Sequence, residues 1–379
     1  MRVKVEIEEK SNDPVVIVGA GLSGLRAASL LISQGIPCVV LESRERFGGR
    51  VLSLEAPDKP ELGKFDLGPT WFWPQYEPMI ASLVQELDLE VFAQHTEGAM
   101  LSERYKNEPA QRFMLAEGTV ERSMRLTGGV RCLIDAVAAT LPPGTIQLNT
   151  RVTSIRAGED QTITLGADFP DGTQKSIAAS AVILALPPRL VARHITFSPA
   201  LPSELMASLM DKPTWMAGQA KVVAVYDTPF WRQDGLSGLV SSWVGPLQEI
   251  HDASPATGSG ALFGFFGMRA EMRRELGEDK VLSLVVEQLS RLLGPSAEAM
   301  SGLLYKDWSM DPETAVEEDS TPLADFPNYG RLSGAGAWSK KIFFAGTETS
   351  PEHGGHLEGA LQSAEQVVSE VIQLYQTHV

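Results

Sequence analysis

The first continuous apolar run in the chain is Val15 to Val18, "VVIV", and a short run of this kind between turn residues predicts a strand covered on both faces. "GAGLSG" follows. From Leu22 to Ile32 apolar residues recur at helical spacing, until Gly35 stops the helix and Pro37 follows. "CVVLE" repeats the buried-strand pattern. Residues 76–121 are predicted to be helical, on the strength of the amphipathic stretch "PMIASLVQELDLEVF". "GGVRCLIDAVAATLPPG" predicts a helix closed by Pro-Pro-Gly. "TIQLNTRVTSIRAG" begins a strand meander with a turn at Asp171-Gly172, and "SAVILALPP" is a further buried strand. "KVVAVYDTPFW" and "GALFGFF" predict strands of a second sheet, and "EDKVLSLVVEQLSRLLG" a helix ended by glycine. "KKIFFAGTE" and "LEGALQSAEQVVSEVIQLY" close the chain as a strand and a long helix. The fold class is α/β, with no internal repeat or low-complexity tract.

Composition narrows the picture. A chain of 379 residues exceeds what one core usually organises, so two domains are expected. No run of eighteen apolar residues occurs, and "MRVKVEIEEKSNDP" lacks the apolar centre of a signal peptide. A cytoplasmic protein without a membrane partner is expected, and the helix ending at Val379 leaves no membrane tail. Cys38 and Cys132 are too few for a disulfide framework or a zinc site and read as small core residues in a reducing compartment. Thirty-two basic against forty-eight acidic residues give a charge of −16, which argues against nucleic acid and favours a cationic ligand.

Gly19-Ala20-Gly21-Leu22-Ser23-Gly24 lies between the first strand and the first helix, the context a dinucleotide-binding GxGxxG needs. The glycines allow a tight turn, close approach of a pyrophosphate and close packing of helix on strand, while the helix N-terminus holds the phosphates. Glu42 ends the second strand eighteen residues after Gly24, where an acid would bind ribose hydroxyls. This pattern fits NAD or FAD equally. "ESRERFGGR" then places Gly48, Gly49 and Arg50 for a second approach to the same pyrophosphate, which favours FAD.

This stretch resembles the N-terminal signature of the flavin-containing amine oxidase family, the monoamine and polyamine oxidases. "FDLGPTWFWP", "LTGGVRCLIDAVA", "LNTRVTSI", "AVILALPP", "KVVAVYDTPFW", "YKDWSMD" and "IFFAGTETSPEHGGHLEGALQSAE" continue it in family order over nearly the whole chain. The resemblance implies a Rossmann-type FAD-binding domain (GR2-like) from 1–75, 122–200 and 330–379, interleaved with an α+β substrate-binding domain from 76–121 and 201–329. It implies cofactor contacts from Gly19, Gly21, Ser23, Gly24, Glu42, Ser43, Arg44, Gly49 and Arg50. Further contacts would come from Gly68, Pro69, Thr70 and Trp71 beside the flavin ring, and from Val152 at the adenine. Gly346, Thr347, Gly355 and Leu357 would complete the set, with the N-terminus of the last helix at the pyrimidine edge of the flavin.

The resemblance also assigns chemistry. Lys221 matches the lysine that holds a water at flavin N5; Trp308 matches a tryptophan near the ring, and Trp71 and Trp73 are candidates for the flavin-facing wall. The implied reaction is hydride-equivalent transfer from the carbon beside an amine nitrogen, giving an imine that water hydrolyses, with molecular oxygen as second substrate and hydrogen peroxide as product. The amine must be neutral to react, so flavin reduction is expected to quicken as pH rises. Two departures stand out. His356 replaces one of the paired aromatic side chains, and Glu317, Glu318 and Ser320 fall where the other is expected, so the cavity is read as more polar, suited to a di- or polyamine. No cysteine follows Cys132, so FAD is expected to be non-covalent. His353 and His356 without a third ligand do not make a metal site. An amino-acid oxidase, a desaturase of the same superfamily and a weakly catalytic flavin-binding redox sensor remain alternatives.

Overall fold

The computed structural model describes residues 13–377 except 117, 120, 159–161, 257, 321, 322 and 324, so the first twelve residues and Val379 lie outside it. Two large sheets organise the chain. The first is five-stranded and wholly parallel, in the order Ile342–Phe344, Ala181–Leu184, Val15–Val18, Cys38–Leu41 and Ile146–Gln147. Val15–Val18 lies at its centre and is fully covered, which explains why its sequence is apolar without alternation. The helix Leu22–Ser33 packs Leu25, Ala28 and Leu31 into the core above this sheet, together with Val367, Val368 and Val371 of the closing helix Leu357–Thr377.

The second sheet has seven strands, in the order Gly302–Asp307, Ala220–Tyr226, Gly260–Phe266, Leu247–Asp252, Leu236–Ser242, Ala99–Glu103 and Gln111–Met114. Its pairs are antiparallel except that Leu236–Ser242 and Ala99–Glu103 run parallel. The helix Glu278–Leu293 covers it through Val281, Val285 and Leu289. A four-stranded sheet, Gln174–Ala179, Ile163–Asp168, Arg151–Ala157 and Thr196–Ser198, carries the expected turn at Asp171-Gly172.

The expectation of a helical stretch over 76–121 is corrected. Among the described residues of this span only Pro78–Glu86 is an α-helix; Val91–Ala93, Ala99–Glu103 and Gln111–Met114 are strands. The two parts also go different ways. Ile80, Leu83 and Val84 of the helix pack into the core of the parallel sheet, whereas Ala99 and Leu101 join that of the seven-stranded sheet. Among the described residues no helix is long and apolar enough to cross a membrane.

Candidate active site

The glycine turn at the head of the parallel sheet forms as its spacing requires. A Cβ on Gly24 would lie 2.0 Å from the Gly19 carbonyl oxygen, so only glycine lets the helix start this close to the strand, while a Cβ on Gly21 would project into open space. The second glycine turn docks directly on the first: Gly48 N–H donates to Ala20 O at 2.7 Å, and the Gly49 face lies against Gly21. Beside them a cleft is lined by Val18, Gly19, Glu42, Ser43, Arg44 and Val152. Glu42 is buried, and its carboxylate accepts the N–H groups of Ala20 at 2.9 Å and Arg44 at 3.0 Å.

The C-terminal glycine cluster closes on this same place. Gly346 N–H donates to the hydroxyls of Ser23 and Ser363, both at 3.0 Å, so the first helix, the last helix and the turn after the last strand meet at one point. Thr347 donates to His356 O at 2.8 Å, and Leu357 begins the closing helix. Gly355 lies under the Trp215 ring, where a Cβ would come within 2.7 Å of the indole.

Several residues named from sequence already hold partners. The Arg50 guanidinium donates to both carboxylate oxygens of the wholly buried Glu348, at 2.6 and 2.9 Å, rather than standing free as a cation. Arg44 donates to Asp311 at 2.8 Å, and Ser43 to Glu313 at 2.7 Å. Glu318 pairs with Arg193, and the neighbouring Asp319 with Arg189, so these acids are engaged by the helix Pro188–His194.

Lys221 sits mid-sheet, paired opposite Phe265 on one side and Lys306 on the other. Its ammonium is buried, donates to Gly68 O at 2.9 Å and to the Thr70 hydroxyl, and lies 3.9 Å from the centre of the Phe263 ring. Burial pushes its pKa down from 10.5 to about 7; buried Asp66 opposes that shift and Arg125 adds to it. Trp308 ties down the same segment from one residue earlier, its indole N–H donating to Leu67 O at 2.9 Å. Lys221 and Trp308 thus both hold the segment Leu67 to Thr70.

Trp71 and Trp73, named from sequence as wall candidates, join Phe263 and His251, which were not, in an aromatic wall beside Lys221. Trp71 lies 5.1 Å from both Phe263 and His251, and 6.3 Å from Trp73. Trp73 is 6.2 Å from His356. Each histidine has a carboxylate partner: His251 meets Glu249 at 3.4 Å, and His356 Nδ1 meets Glu77 at 2.8 Å. His251, Phe263, Glu77, Trp215 and Glu348 were not identified from sequence. Only Glu348, adjacent to Thr347, stood within a motif already marked.

The donor set fits FAD: an open glycine turn at a helix N-terminus, a buried ribose-type acid at the end of the second strand, and a third chain segment locked onto both. Comparison with known proteins points the same way. The family model described as flavin containing amine oxidoreductase matches residues 98–372, and one described as NAD(P)-binding Rossmann-like domain matches 17–87. A putrescine oxidase of Kocuria rosea is 26% identical, the match covering 94% of this chain and 95% of that protein. A putative flavin-containing monoamine oxidase AofH of Mycobacterium tuberculosis is 27% identical, covering 95% and 96%. The solved structure of a putrescine oxidase bound to putrescine matches the fold with a TM-score of 0.78 at 22% identity, covering 95% of this chain and 99% of that one. Cyclohexylamine oxidase from Brevibacterium oxydans matches with a TM-score of 0.77 at 19% identity, over 97% and 100%. With a family match spanning well over half its length, the chain belongs to the flavin-containing amine oxidoreductases and is an FAD-dependent enzyme that oxidises amines.

Proposed function

We propose that the enzyme oxidises a small primary di- or polyamine. The observation that carries this reading is the Trp71–Trp73 wall with a carboxylate at each end, Glu249 through His251 and Glu77 through His356. Indole faces attract an ammonium by about 0.5–2 kcal/mol, and the acids favour a second positive charge on the same ligand. A net charge of −16 draws cations to the surface. A relative named putrescine oxidase supports the same substrate class.

In this reading Gly19, Gly21, Ser23 and Gly24 hold the pyrophosphate of FAD, Glu42 the ribose, and the backbone at Val152 the adenine. Gly355 and Leu357 meet the flavin ring, whose bound form supplies the two-electron acceptor and the path to oxygen. Lys221, titrating near neutrality beside Gly68 and Thr70, holds or moves a proton at Nζ as electrons pass to molecular oxygen. Trp71 and Trp73 orient the amine. We divide the chain as the resemblance implies, with the helix Pro78–Glu86 moved to the FAD-binding side, and place it in the cytoplasm, where its two free thiols would persist.

Anaerobic titration of the FAD-loaded protein with mono-, di- and polyamines and amino acids tests the reading. Diamines should bleach the flavin band at lower concentration than monoamines of equal length. Equal potency would remove the second-charge argument, and bleaching by amino acids alone would favour an amino-acid oxidase. Lys221→Met should reduce peroxide production; unchanged production would overturn the role given to Lys221.

A further inference from the structure

We propose that Glu77 and His356 form a proton-accepting pair for the substrate: the imidazole Nε2 takes the proton from the incoming ammonium, and Glu77 fixes which nitrogen is free to do so. The proposal rests on the amine reading above and deepens it.

The geometry is specific. Glu77 is 3% exposed and immediately precedes the helix Pro78–Glu86, its carboxylate turned away from the helix N–H groups. One carboxylate oxygen accepts the Trp73 N–H at 2.8 Å, and the other meets His356 Nδ1 at 2.8 Å. A carboxylate can only accept, so Nδ1 carries the hydrogen and Nε2 presents its lone pair. Nε2 has no hydrogen-bond partner among the described residues, and the side chain is 41% exposed beside Trp73, on the wall assigned to the substrate.

The pair is braced rather than incidental. Glu358, two residues past His356 and wholly buried, accepts the N–H groups of Met79 at 3.0 Å and Ile80 at 2.8 Å, two and three residues past Glu77. The start of one helix therefore holds the start of the other, and Thr347 fixes the His356 carbonyl from a third side. The titratable groups nearest the ring in sequence are Glu77, Glu352, His353 and Glu358; farther along the two helices, Glu86 and Glu365 meet Arg26 and Glu370 accepts from Gln366, while Glu348 is turned away to Arg50.

The step balances without electron transfer. An N–H bond of the ammonium breaks, an Nε2–H bond forms, and the neutral amine is left to undergo C–H oxidation. The imidazolium, stabilised by Glu77, returns its proton to water at the exposed ring edge. His356 touches the substrate, whereas Glu77 is a positioning residue acting through it.

Two measurements test this. Stopped-flow reduction of the FAD-loaded enzyme by 1,4-diaminobutane, followed from pH 6 to 10, should be slowed at least tenfold by His356→Asn at pH 7 and little at pH 10, where the amine arrives unprotonated. Glu77→Gln should show the same pH-dependent gap at smaller size. A constant ratio at every pH would indicate a structural role and overturn the proposal. Nitrogen-15 histidine NMR reads the tautomer without turnover, with His356→Asn identifying the signal. Wild type should carry hydrogen on Nδ1 with Nε2 bare, and Glu77→Gln should shift the population toward Nε2–H. An Nε2–H tautomer in wild type refutes the pair even where amines bleach the flavin. A bare Nε2 with no amine able to bleach it would instead refute the substrate reading, and the base role with it.

Discussion

Replacing Lys221 by methionine should change the way the protein's stability depends on pH. The ammonium titrates near pH 7 in the folded protein and near 10.5 when free, because burial penalises its charge. Between those values the unfolded chain binds a proton that the folded chain does not, so raising pH favours the fold. The gain is about 1.4 kcal/mol per pH unit, or roughly 5 kcal/mol over the full interval. Below pH 7 both states carry the proton and the penalty is constant; above 10.5 neither does. Methionine removes the titration. It also leaves Gly68 O and the Thr70 hydroxyl without their donor, a cost of about 1–3 kcal/mol per group that does not vary with pH. The variant should therefore compare best with wild type below pH 7 and lose ground on the alkaline side, by about 2 kcal/mol between pH 7 and 9. Urea unfolding of both FAD-loaded proteins at constant excess FAD gives the difference, in which other titrating groups cancel. A difference flat to within about 1 kcal/mol over that range would refute the assignment of a low folded-state pKa to Lys221.

Three further outcomes are expected. Glu348→Ala strands the Arg50 guanidinium in a largely buried setting and should cost about 3 kcal/mol in urea unfolding, with weaker FAD retention on gel filtration; an unchanged midpoint contradicts the ion pair. Gly24→Ala forces a Cβ against the Gly19 carbonyl, and the purified protein should carry well under half the wild-type FAD by absorbance. Burial raises both cysteine thiols to about 11, so a thiol reagent at pH 8 should label them slowly in the folded protein and at once in urea; rapid labelling of the native protein would contradict their burial.

The parallel sheet was legible because its signals are local: an apolar run, a glycine turn and a helical repeat within thirty residues. Residues 99–114 were not, for a physical reason. The strand Ala99–Glu103 points Ala99, Leu101 and Glu103 inward, and the inward charge of Glu103 is matched by Arg291 at 2.7 Å, so a salt bridge stands where alternation calls for an apolar side chain. Gln111–Met114 is an exposed edge strand with no buried face to impose a period. At the site, glycine positions could be assigned by spacing, but Glu77 and His356 are 279 positions apart and no periodicity joins them. The engagement of Arg50 by Glu348 was hidden for the same reason: sequence supplies a charge without its partner.

The meeting of Gly346 with Ser23 and Ser363 has a consequence for how the protein is made. Ser23 lies among the earliest described residues, and Ser363 near the last. The strand Ile342–Phe344 takes the edge of a sheet whose other four strands lie before residue 185. On the ribosome those four strands emerge long before the segment that completes their site, and closing so distant a contact is slow. The contact of Gly346 with Ser23 and Ser363 can therefore form only after the start of the closing helix has been synthesised. A chain cut short before residue 340 keeps the glycine motif and lacks this closure.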